Sequence, residues 1–110
     1  MASMVVQAGS GQAPPEWWEL SASGVVTIQP GQEVDYHHHD CNEAWLVVEG
    51  RGVAVVGGRE YQIGPGDVVY TQRGDEHTVR AQTPITLVWM AGPLMLGGRP
   101  GHLHGQDTPR

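Results

Sequence analysis

Apolar residues along this chain come in short runs separated by turn residues, at 25–28, 45–48, 53–56, 68–70 and 85–89. Runs of that length, rich in Val and Ile and bounded by Gly and Pro, predict β-strands. Val25 to Gln29 is stopped by Pro30-Gly31, and a second extended run, Glu33 to His39, follows it. Ala44 to Glu49 and Val53 to Val56 flank Gly50-Arg51-Gly52, and the Gly57-Gly58 dipeptide before Arg59 predicts a tight hairpin turn. Tyr61 to Ile63, Val68 to Thr71 and His77 to Arg80 read as further strands, separated by Gly64-Pro65-Gly66-Asp67 and Arg73-Gly74-Asp75-Glu76. The last run, Ile85 to Ala91, is apolar on both parities, so both of its faces are expected to be covered. Short strands at this spacing predict an all-β sandwich or barrel. The barrel is expected over residues 16–96, between a flexible N-terminal arm (1–15) and a C-terminal tail (97–110) rich in Gly and Pro.

Length and composition narrow the function classes. At 110 residues the chain supports one core and no second catalytic domain. Sixteen Gly and eight Pro leave little room for long helices, and the length leaves no room for a DNA-binding helix beside the barrel, which excludes a self-contained transcription regulator. The formal net charge of -6 is spread without a block of like charge, so no nucleic-acid partner is expected. There is no Lys, which excludes Schiff-base and P-loop lysine chemistry. The single Cys41 cannot form an intrachain disulfide. No basic-then-apolar leader and no membrane-length apolar stretch is seen, so a soluble cytoplasmic protein without a membrane partner is expected.

The densest set of ligand-type residues is His37-His38-His39-Asp40-Cys41-Asn42-Glu43. On an extended strand His37 and His39 share one face, His38 points to the other, and Glu43 returns to the first at an even offset. Two imidazoles and a carboxylate can thus converge on a divalent transition metal: Zn, Cu, Fe or Ni by imidazole, with Mn added by the carboxylate. His77, opening a later strand after a Gly-containing turn, is the candidate fourth ligand.

At these residues the sequence resembles the cupin family. Gly31, His37, His39, Glu43 and Gly50 fill every fixed position of the first cupin motif without a gap. Gly66, Gln72, Gly74 and His77 follow the second, with Gln72 where Pro is usual, and Ala81 stands where Asn is common. The resemblance covers roughly residues 25 to 90 and implies a small jelly-roll β-barrel holding one divalent metal between its motifs, on His37, His39, Glu43 and His77. Cupins include dioxygenases, decarboxylases, isomerases, epimerases and lyases, as well as storage and sugar-binding proteins, so the resemblance stops short of a reaction.

The expected function is a metal-dependent enzyme, an oxygenase or a lyase or isomerase, acting on a small carboxylate, diketone or sugar-like compound. Glu43 is then both ligand and catalytic base. The alternatives are a metabolite-binding or sensor module and a purely structural barrel. Trp45, Val47, Val53 and Val55 are expected to line the substrate pocket if their strands keep one facing. His38 is assigned to solvent or an interface, and Cys41 to structure. His102 and His104 are read as a solvated tail that acts on a ligand only if it folds across the barrel mouth. Trp17 and Trp18 are expected to pack onto the barrel or onto a second subunit, which makes a homodimer the expected assembly.

Overall fold

The computed structural model of the chain describes residues 3–32, 34 and 36–104. Met1, Ala2, Glu33, Asp35 and residues 105–110 lie outside that set, and with them the ends of the expected arm and tail and part of the 33–39 run. Among the described residues seven strands form: β1 (Ala22–Ile28), β2 (Glu43–Glu49), β3 (Gly52–Val56), β4 (Arg59–Ile63), β5 (Val68–Thr71), β6 (His77–Ala81) and β7 (Ile85–Ala91). They make two antiparallel sheets, one of order β1-β7-β2-β5 and one of order β4-β3-β6, in the jelly-roll manner. No helix occurs among the described residues, and none is long and apolar enough to cross a membrane.

Period-two alternation decides what each strand buries. In the four-stranded sheet Ile28, Trp45, Val47, Val69, Ile85 and Leu87 face inward and meet Ala54, Ile63 and Val79 of the other sheet. Ile85 is fully enclosed, and burial of such a side chain is worth roughly 1.5–3 kcal/mol. On the outer side of β7 Val88 and Met90 are only half-buried, so the double covering expected for this strand is incomplete.

The facing of β3 departs from expectation. Ala54 sits in the core and Val56 packs against it, which turns Val53 and Val55 to the opposite side of the strand. Parity cannot be carried across from β2, because the pairing of β2 with β7 shifts register between Val47 and Glu49 and the chain then reverses through Gly50. Gly50 has φ of +87°, and a Cβ there would stand 1.9 Å from the Pro84 carbonyl oxygen. The β3–β4 hairpin turns as expected through Gly57 and Gly58, both at positive φ (56° and 80°). Trp17 and Trp18 meet edge to face at 6.3 Å, and each remains about half exposed.

Candidate metal centre

The two histidine-bearing segments meet at one end of the barrel. His37 and His77 pair across an antiparallel bridge, each backbone N–H donating to the other's carbonyl at 3.0 and 2.7 Å. The turn before β6 is tied to the same segment by the Gly74 N–H, which donates to the His39 carbonyl at 2.8 Å. Alternation then aims His37 and His39 to one side, and His77, paired directly across from His37, puts its ring on that same side. One ring nitrogen from each of His37, His39 and His77 lies within 4.8 Å of the other two. All three residues are buried, at 3%, 8% and 1% exposure.

Their hydrogen bonds prepare these rings to bind a cation. His39 Nδ1 lies 3.0 Å from the Gly101 carbonyl oxygen, and His77 Nδ1 lies 3.0 Å from that of Asp75. A carbonyl only accepts, so each Nδ1 carries the proton and each Nε2 is left with a bare lone pair. Among the described residues both Nε2 atoms are buried without a hydrogen-bond partner. Unpartnered polar atoms are costly in an interior; two of them beside a third imidazole fit the coordination sphere of a divalent ion, with backbone carbonyls orienting the ligands from behind. Burial pushes the His77 pKa down to about 4, with the neighbouring His37, His39 and His102 rings adding to the fall against the Asp75 hydrogen bond. His77 is therefore neutral, and able to ligate, at neutral pH.

Glu43 opens β2 beside this cluster. Its Oε1 lies 3.6 Å from His39 Nε2 and accepts a hydrogen bond from the Trp45 indole at 2.8 Å. The carboxylate adjoins the three imidazoles without belonging to the tight group. Trp45 stands two residues on, on the same face, with its ring 5.4 Å from that of His77. Val47 continues that face into the core. Val53 and Val55 are not brought to the site, and Val53 lines a separate groove of about 610 Å³ with Tyr36, Thr78 and Arg80.

Two residues read from sequence as peripheral, His38 and His102, sit elsewhere than expected. His38 is 2% exposed, not solvated, because its backbone pairs with Leu103. His102 is carried over the centre by the tail, and its ring stacks on His37 with centroids 3.7 Å apart and 11° between planes. The only sequence signal for it was the second His-x-His. Cys41 is buried, and its thiol pKa is raised by burial and by the nearby Glu43 and Asp40 carboxylates. That environment disfavours a thiolate nucleophile.

Residues 24–91 match the family profile described as the cupin domain, most of the barrel and both histidine segments. The chain is a cupin. Among curated relatives, this cupin is 44% identical over 74 residues to an uncharacterised protein of Sinorhizobium fredii, a match covering 54% of the chain and 34% of that protein. The chain thus spans about a third of that relative's length. It is 28% identical over 106 residues to an (R)-mandelonitrile lyase of Granulicella tundricola, covering 82% of the chain and 81% of the lyase. Among solved structures, a predicted oxalate decarboxylase from Thermotoga maritima superposes with a TM-score of 0.63 at 24% identity, over 70% of this cupin and 69% of that chain.

Proposed function

We propose that this cupin is a metal-dependent lyase that breaks a carbon–carbon bond in a small hydroxylated substrate, a cyanohydrin being the first candidate. The observation that carries the metal part is the pair of buried, unpartnered Nε2 atoms of His39 and His77 facing His37. The choice of reaction rests on similarity, over four-fifths of both lengths, to a protein named (R)-mandelonitrile lyase.

His37, His39 and His77 would hold the ion. When bound, a divalent cation supplies Lewis acidity toward a hydroxyl or carbonyl oxygen. The chain's own groups do the rest. Trp45 and the core behind it keep water from one side of the site. Glu43, oriented by the Trp45 N–H, takes the substrate hydroxyl proton. The oxygen's electron pair forms the carbonyl as the carbon–carbon bond breaks; that bond's pair leaves with cyanide, which receives the proton from Glu43.

The test begins with metals bound per subunit in protein purified without chelator, beside a His37→Ala, His77→Ala double variant. Metal near one per subunit in the wild type and lost in the variant is expected, followed by release of benzaldehyde from (R)-mandelonitrile. Glu43→Gln is expected to keep the metal and lose about a hundredfold or more in turnover. A wild type that takes up no metal after reconstitution at neutral pH overturns the metalloenzyme reading; a metal-loaded protein inert toward cyanohydrins overturns the lyase.

We further propose the homodimer as the working assembly. Supporting it, Val25, Val88, Leu46 and Val68 stand in register across the outer face of the four-stranded sheet, an uncharged row on an acidic chain. A monomeric mass by light scattering would remove that part of the reading.

A further inference from the structure

Residues 93–104 lie outside the matched cupin domain, yet they are fastened to the ligand-bearing segment at three consecutive residues. The His38 N–H donates to the Leu103 carbonyl at 2.8 Å, and the Leu103 N–H donates back at 2.9 Å. His39 Nδ1 bonds the Gly101 carbonyl at 3.0 Å. The Asp40 carbonyl accepts from Met95 N–H at 2.8 Å, and its carboxylate accepts from Arg99 N–H at 2.9 Å. Leu103 is buried at 7% exposure, so the strap is anchored by an apolar plug as well as by hydrogen bonds. Between the two anchoring residues, His102 lies flat on His37.

That stacking separates two roles. Two imidazoles bound side by side to one ion radiate from it, and their planes cannot lie face to face at 3.7 Å. His102 is also outside the tight nitrogen cluster of His37, His39 and His77. Its position is that of a brace and roof.

Resting on the metal reading above, we propose that this C-terminal strap is a working part of the metal centre. The Gly101 carbonyl holds His39 with Nδ1 protonated and Nε2 turned to the ion, and the His102 ring keeps His37 in place and covers the centre. Both are positioning groups, and they make retention of the metal depend on residues beyond the barrel.

The experiment uses the full-length protein loaded with Zn²⁺, and follows release of the ion to a chromophoric chelator. Leu103→Asp, which expels the plug, is expected to speed release about tenfold or more. His102→Ala is expected to speed it several-fold, while His102→Phe, which can stack but cannot ligate, stays near the wild-type rate. A second readout needs no metal: ring ¹⁵N shifts of the metal-free protein should show His39 as the Nδ1–H tautomer, and Leu103→Asp should mix the tautomers. Should Leu103→Asp fail to fold, the His102 pair carries the test, since that ring is exposed. Wild-type release rates in Leu103→Asp and His102→Ala, or an unchanged His39 tautomer, overturn the proposal. Release from His102→Phe as fast as from His102→Ala overturns the roofing role and makes His102 a ligand. A wild type that never takes up Zn²⁺ overturns the metal reading itself, and the tautomer measurement still judges the strap separately.

Discussion

Metal-free protein should lose stability as the pH falls from 7 to 5 through the buried His77 imidazole. His77 is 1% exposed, and its pKa is lowered from 6.5 to about 4, first by burial. At pH 5 the unfolded chain protonates this ring and the folded chain does not. The unfolded state then binds more protons, so stability rises with pH across the window from about 4 to 6.5 and is lost on acidification through it, the full penalty being present below about 4. With about 1.4 kcal/mol per pH unit, the two pKa values give a loss of about 2 kcal/mol at pH 5 and nearly none at pH 7. The assay is urea unfolding of chelator-treated protein at both pH values, for the wild type and for His77→Leu, which removes the titrating ring. The absolute stability of the variant does not matter. Its stability difference between pH 7 and pH 5 should be smaller than the wild type's by about 2 kcal/mol. An equal pH dependence in the two proteins would refute the assignment of a buried neutral imidazole at this position.

Gly50→Ala should destabilise by at least about 2 kcal/mol, because its Cβ would meet the Pro84 carbonyl at 1.9 Å. Gly57→Ala, where nothing lies within 4 Å, should cost only about 1 kcal/mol, and equal losses in thermal or urea unfolding would contradict the steric argument. Trp45→Phe keeps a ring beside His77 but removes the donor to Glu43. Turnover per folded molecule is expected to fall about tenfold alongside a stability loss of about 1 kcal/mol from the smaller ring in the core, and unaltered turnover would show that the indole does not orient the carboxylate.

Much of the fold was readable because strands announce themselves through local rules. Apolar runs with Gly-Gly and Gly-Pro-Gly punctuation located β3 to β5 within two residues, and alternation put His37 and His39 on one side of an extended segment. The motif glycines at 31, 50, 66 and 74 all adopt positive φ, so their recurrence at fixed spacing has a backbone cause. The facing of β3 failed for a reason equally physical: a register shift in β2 and a tight reversal reset the parity, and no local pattern reports a bulge.

By itself, then, the sequence determined an all-β cupin chain with imidazoles spaced to meet across two motifs, since those features follow from side-chain type and short-range geometry. Only tertiary structure decided that His38 is buried, that Ala54 rather than Val53 faces the core, and that the tail returns over the centre. The bond between His39 and Gly101 joins residues 62 apart, and contacts at such separation depend on how the whole chain closes, which no local run of residues encodes.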